Sequence, residues 1–365
     1  MNILIVGNGF DLSHYLPTKY DHFMDVMQSI QNFPPHSGSM RFEDIFENSL
    51  KKEFPFFQKT LEFHKHDNLV LTSNTIQEIL NTNIWYNFFL DHVNEIKTWI
   101  DFEQKIEEAL LLVVSALNTI EDYFLKNGKF DLGIIKNKRP SDKLYYFPEL
   151  QFHLLEKLGL FCSIQNKTNL EPDGRLCPDF FKVNMNEKYG FDSKKYLSFL
   201  QKQLDNFIEL FNLYLTDIID KFQKNTDFKI KNFIEVNEIY SFNYTNTFEK
   251  FYNNEIKINY LHGRHGANQN LVLGISDLNH SSLIGLKVYG FTKYHQKLLK
   301  NTDYIFLHDR LTNYRHDKKE LDNAISLLRA NIGDNGIRNE IKTNVDFKRI
   351  NLSSMNLFFI FGDIL

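Results

Sequence analysis

The chain has little cysteine: Cys162 and Cys177 are the two in 365 residues. Two thiols cannot build a disulfide framework or a four-cysteine zinc site. An excess of basic charge is also missing. Lys and Arg number 42 against 46 Asp and Glu, a net charge of −4. That balance argues against a strongly basic nucleic-acid surface. No long uncharged apolar run reaches the length of a membrane span, and the longest apolar helical patch, Ala109–Leu117, is far too short. The N-terminus lacks the basic region of a secretory signal. Thirteen His are present without a metal-ligand spacing, and His14 with His22 or His262 with His265 make only weak partial sites, so no metal is expected. There is no internal repeat and no low-complexity linker. These absences predict a cytoplasmic protein with reduced thiols.

Aromatics are abundant. With 35 Phe, 17 Tyr and 42% hydrophobic residues the chain can bury a sizeable core, which excludes general disorder. Met1–Val6 is a short apolar run ending at a glycine, the pattern of a buried parallel strand. Pro17 keeps Asp11–Thr18 mostly in a loop or one short turn, and Thr18 is placed to cap a helix from Lys19 to Gln31. Ile100–Leu125 and Tyr196–Phe222 carry apolar residues at helical spacing. Residues 163–190 between them hold Pro, Gly, Asn and charges and read as a loop. Then the texture changes. Glu238–Phe242, Asn246–Tyr252 and Ile256–Leu261 read as strand, helix and strand, a crossover that implies a parallel sheet. Leu271–Ile275 and Met355–Phe361 read as further strands. The expected fold is α/β: a Rossmann-like parallel-sheet core from residues 1–40 and 230–365, with a mainly helical insertion over 41–229.

Chemistry-bearing residues gather where strands end, the usual place for ligands in such sheets. Gly7-Asn8-Gly9 follows the first strand, and such a turn lets backbone N–H groups approach a phosphate. A dinucleotide fingerprint would need a third glycine at position 12, which is Leu12, so the ordinary motif fails. A tight turn explains the two glycines as well. Asp11 and Thr18 flank this turn, either as capping groups or as pocket lining. Asn243, within Ser241-Phe242-Asn243-Tyr244-Thr245, offers two donors and an acceptor to a ribose hydroxyl or a water; it or Thr245 could equally cap the next helix. His262, before Gly263, ends the next strand and suits a general base. Asp277 follows the Leu271–Ile275 run, as a pocket residue or a turn. Lys293 could meet a phosphate, although a solvated helix face accounts for it. The acids in Trp99–Glu103 fit a helix N-terminus.

Taken together these residues resemble the bacteriophage abortive-infection AbiH family. The resemblance rests on "GNGFDL" at Gly7–Leu12, "LPT" at Leu16–Thr18, the Trp99–Glu103 cluster, "FNYT" at Phe242–Thr245 and "HG" at His262-Gly263. It continues through Leu271–Asp277 and Phe291–Gln296. Family members usually continue past the last strand with a glycine, a His-Ser-Leu and an acid. Here Phe361-Gly362-Asp363-Ile364-Leu365 stands instead, as expected of a short member. The same skeleton is similar to sirtuin-like NAD-binding proteins, with Asn243 and His262 on their asparagine and histidine and Thr245 where an acid usually stands. The resemblance implies a defence protein that binds NAD and cleaves its nicotinamide–ribose bond. Asn243 and His262 would then be catalytic. Gly7, Asn8, Gly9, Asp11, Thr18, Thr245, Gly263 and Asp277 would hold the nucleotide. Such an enzyme would need a trigger: an unidentified phage product, a nucleotide signal or a change of homo-oligomeric assembly. The charge balance and the lack of a long apolar run argue against nucleic acid or membrane as a partner. The alternative is a nucleotide-binding sensor or scaffold without catalysis.

Overall fold

The structure, a computed structural model, describes residues 2–34, 38–72, 74–93, 95–96, 98–127, 133–135, 145–164, 172–184, 187–225, 236–252, 255–278, 280–302 and 356–360. The calls on residues 303–355 and 361–365 lie outside them.

Four strands form the sheet that matters here. They are β1 (Asn2–Val6), β2 (Glu238–Ser241), β3 (Ile258–Tyr260) and β4 (Asn356–Ile360). Their order is β3-β2-β1-β4 and every pair is parallel, with Val6 opposite Ser241 and Ser241 opposite Tyr260. The helix α5 (Thr247–Phe251) connects β2 to β3, as a parallel crossover requires. Alternation along the strands sends side chains to two faces. Leu4, Val6 and Ile239 pack with Phe10 and Phe248 on one face, while Ile3, Tyr240 and Leu261 cluster on the other.

The larger core is helical. In chain order the helices that position the site are α1 (Asn8–Ser13), α2 (Tyr20–Asn32), α3 (Trp99–Asn127), α4 (Ser193–Asp217), α5 and α6 (Lys293–Leu299). Phe23 of α2 meets Trp99 of α3 and Phe207, Phe211 and Tyr214 of α4, and Phe102 stacks on Phe207 at 5.5 Å and 16°. The Leu16-Pro17-Thr18 turn is buried against this bundle. Tyr214 Oη donates to the Pro17 carbonyl, and Trp99 Nε1 donates to the Thr18 carbonyl at 3.4 Å.

Within Asp11–Thr18 the short turn is the end of α1, which stops at Ser13, and residues 14–18 are turn and loop before and around Pro17. Three expectations change. Lys19, not Thr18, is the N-cap of α2, and it makes no side-chain cap. Leu271–Ile275 does not join the sheet. It is buried, and Ile275 makes an isolated parallel bridge with Thr292. Its apolar run reflects burial beneath α6, and a buried run alone cannot distinguish a strand from an extended segment. Finally, residues 163–190 are not all loop: short strands span Gly174–Leu176, Phe181–Asn184 and Glu187–Phe191.

Candidate functional site

Asp11 lies on the buried face of α1 because Phe10 anchors the helix against the sheet. It is 1% exposed. Thr247 donates to Thr245 at 3.1 Å, and Thr245 Oγ1 donates to Asp11 Oδ2 at 2.7 Å. The second carboxylate oxygen, Oδ1, is buried without a hydrogen-bond partner, and so is the Asn243 amide nitrogen, Nδ2. An unmade hydrogen bond at a buried polar atom costs about 1–3 kcal/mol. Both residues line one small, water-sized cleft, together with Ser241, Thr245, Thr247 and Tyr260 and the apolar Val6, Phe10, Ile239, Phe248 and Ile258. Burial pushes the Asp11 carboxyl up to about 6, against the lowering pull of Thr247, Thr245, Asn243 and the more distant His265. A hydroxyl entering this cleft could donate to the acid and accept from the amide.

Ser241 fixes the backbone that presents Asn243. Its Oγ accepts from the Asn243 N–H and donates to the Asn243 carbonyl, both at 3.1 Å. Past that lock the side chains alternate. Asn243 and Thr245 line the cleft. Phe242 and Tyr244 instead meet the His262 ring, at 5.3 Å and 6.2 Å between centroids. Residues 242–245 are thus a wall with two sides.

The second side is rich in cations. Lys293, at the start of α6, pairs with Glu103 of α3; their side chains are 14% and 18% exposed. Lys297 is one turn further along α6 and 9% exposed. Burial lowers its ammonium to about 8, helped by Lys293 and opposed by Glu103. Burial, then Lys293 and Lys297, pull His262 down to about 2, so its ring stays neutral at physiological pH.

The family model described as Bacteriophage abortive infection AbiH matches residues 3–327. The chain belongs to the AbiH family. None of the curated proteins and none of the solved structures compared with it matches.

In this AbiH chain the residues nominated from sequence separate into groups. Asp11, Asn243 and Thr245 line the cleft together. His262 is not among its lining residues. Neither Asn243 nor Thr245 caps α5, whose N-cap is Asn246. Gly7 is the N-cap of α1, and Asn8 and Gly9 form its first turn. Asn8 Oδ1 accepts from Thr18 Oγ1 at 2.8 Å, so these two residues hold each other. Gly263 serves a turn: its φ is +84°, and a Cβ there would fall 2.0 Å from the Asn270 carbonyl oxygen. Asp277 is exposed, with Oδ1 accepting from the Leu278 N–H at 2.7 Å. Lys293 is not on a solvated face, because Glu103 draws it inward. No three His, Cys, Asp or Glu among the described residues are grouped to hold a metal, and no helix among them is long and apolar enough to cross a membrane.

Sequence reasoning missed Thr247 and Lys297. Thr247 had a signal, since it sits two residues beyond Thr245 at the start of a short helix. Lys297 had one too, the i,i+4 spacing from Lys293.

Proposed function

We propose that this AbiH protein acts in abortive infection by binding the ribose of a nucleotide in the Asp11–Asn243 cleft and hydrolysing NAD at its nicotinamide–ribose bond. One observation carries the reading: the acceptor Asp11 Oδ1 and the donor Asn243 Nδ2 are both buried in the same small cleft, near enough for the amide to lower the acid yet short of a hydrogen bond to each other. A sugar hydroxyl supplies a donor and an acceptor at once. The enclosed space is water-sized, so a single sugar hydroxyl enters it and the rest of the ribose lies at its mouth. The rest of the ligand would then extend past the wall of residues 242–245.

In the hydrolysis, water adds to C1′ of the ribose as the C1′–N bond breaks. Nicotinamide leaves with the bonding electron pair, and one proton is released. Asp11 accepts the proton from the sugar hydroxyl or the water, and its carboxylate faces the positive charge that grows on the ribose. Asn243 orients the hydroxyl. His262 is a weak base where it stands, so the acid–base role passes to Asp11. The same weakness favours a second reading, in which the cleft binds the nucleotide and cleaves nothing.

The test is nicotinamide release from NAD⁺ by the purified protein, alone and with lysate from phage-infected cells. Release is expected to fall by about 10²-fold or more in Asp11→Asn and Asn243→Ala, and less in His262→Ala. It should rise with pH through about 6 as Asp11 ionises. Bound ADP-ribose without release selects the second reading. Neither release nor binding overturns both.

A further inference from the structure

His265 takes no part in the reaction above. It is 7% exposed and lies where three parts of the fold meet: the turn after β3, the segment 242–245 and a one-turn helix, Ile219–Lys221, that follows α4. Its Nδ1 is 2.6 Å from the Tyr244 carbonyl oxygen, and its Nε2 is 2.7 Å from Asp220 Oδ2. The His265 backbone N–H donates to the same Tyr244 carbonyl at 3.2 Å.

Both partners of the ring are acceptors. A peptide carbonyl has no proton to give, and an ionised carboxylate has none either. The Asp220 side chain is 34% exposed, so water supports its charge. A neutral imidazole has one N–H and one lone pair. It can make one of these two bonds and must turn its lone pair on the other acceptor, at a distance where the two repel. The imidazolium makes both, and such charge-assisted bonds are short. Burial works against a charged ring, yet the Asp220 carboxylate and the Tyr244 carbonyl outweigh it, against the pull of Arg264, and hold its pKa above the ordinary 6.5. Arg264 is itself paired with Glu249 at 2.9 Å, and Lys250 donates to the Asp220 backbone carbonyl at 3.3 Å. Asp11, beyond the segment, is lowered by the same ring.

Tyr244 is gripped at both ends. Its carbonyl accepts from His265, and its hydroxyl donates to the Val272 carbonyl at 3.0 Å. Its chain neighbours Asn243 and Thr245 both line the cleft. The ring therefore fixes the backbone between two cleft residues.

We propose that His265 is a positioning residue which, while protonated on both nitrogens, ties the Tyr244 carbonyl to Asp220 and so holds Asn243 and Thr245 in the cleft, and which releases them when it gives up one proton. The effect on a ligand rests on the reading above; the state of the ring does not. The folded chain holds this proton more tightly than the unfolded one. The tie is thus complete below about 6.5 and is lost as pH rises through the higher folded value. Asp11 ionises as pH rises through about 6, so the cleft is both charged and held only between the two titrations.

Nitrogen–proton NMR of the full chain with labelled histidine reads each ring nitrogen directly, and His265→Gln assigns the signal by its loss. Expected in the parent is a ring that keeps both protons above the ordinary 6.5. In Asp220→Asn the amide can donate to Nε2 while Nδ1–H still donates to Tyr244, so a neutral ring with both bonds kept is expected there. Amide hydrogen exchange over residues 242–245 should be about ten-fold faster in His265→Gln and close to the parent in Asp220→Asn, with α4 unaltered in both. ADP-ribose, titrated across pH, should lose affinity on the alkaline side in the parent, and Asp220→Asn should remove that loss. A parent ring with one bare nitrogen above 6.5 overturns the proposal, as does unaltered exchange at 242–245 in His265→Gln. An alkaline loss of affinity that persists in Asp220→Asn overturns the hold on the cleft. ADP-ribose that binds none of the three proteins overturns the reading of the cleft instead, and the ring and the exchange then decide the tie by themselves.

Discussion

On one side of residues 242–245, Asp11 keeps a buried carboxylate oxygen with no partner. On the other side, Glu103 is joined to Lys293. Asp11 is buried and Glu103 partly so, and desolvation raises both. They differ in what offsets it. Glu103 has a cation drawn in by α6, whereas Asp11 has hydroxyl donors, the Asn243 amide nearby and one oxygen whose lone pairs accept no hydrogen bond. A paired acid contributes to the packing of two helices. An acid held short of its hydrogen bonds costs the fold stability and gains from whatever ligand completes it. A four-residue bend past the strand end separates the two, with Asn243 and Thr245 lining the cleft and Phe242 and Tyr244 meeting His262.

The sharpest way to break this comparison is Glu103→Gln. It leaves Lys293 buried opposite a neutral amide, and a loss of about 3–5 kcal/mol is expected in denaturant unfolding. The double variant Glu103→Gln with Lys293→Met should recover most of it. Asp11→Asn should act in the opposite direction. The folded carboxyl titrates near 6 against an ordinary value of 3.8, so the folded state holds the proton more tightly. Stability is therefore lost as pH rises from about 4 through about 6, by about 3 kcal/mol in all. Asp11→Asn should restore that amount at pH 7–8 and make no difference below pH 4, read as unfolding free energy across a pH series. Gain of stability with loss of ligand binding would mark a site residue; loss of both would mark a structural one.

Ser241→Ala removes the hydroxyl that holds the Asn243 backbone. About 1–2 kcal/mol should be lost, with weaker ligand binding in the cleft, measured by unfolding and by titration. The smallest effect is expected from Thr18→Val, about 1 kcal/mol, since Asn8 is half-buried and water can replace the hydroxyl. If Thr18→Val instead abolished ribose binding while leaving stability alone, the Asn8–Thr18 pair would join the ligand site.

The legible parts of this molecule were those whose signals are local. Val6 before Gly7, and Ile239 to Ser241 before Asn243, announce strand ends within a few residues, and the chain does end strands there. Asn243 and Thr245 share a side because they are two apart, a relation the sequence carries in full. The contact between Asp11 and Thr245 spans 234 residues and has no such mark. Glu103 and Lys293 are 190 apart, and each alone looks like an ordinary helix-surface charge. Likewise, the apolar run from Leu271 to Ile275 records that it is buried but not what covers it. His262 lies in the turn two residues past Tyr260, where its strand ends. Its basicity depends on two lysines whose inward direction is set by α6 docking, a tertiary fact.

The Leu16-Pro17-Thr18 turn has a mechanical consequence. Its Pro17 carbonyl is gripped by Tyr214 of α4, and its Thr18 hydroxyl grips Asn8, three residues before Asp11. Three residues of chain therefore act as a crank between the long helices and the mouth of the sheet. A proline in the middle fixes its own φ, so the turn offers little slack between the two contacts. Two hydrogen bonds and three residues thus tie the long helix α4 to the short helix that carries Asp11.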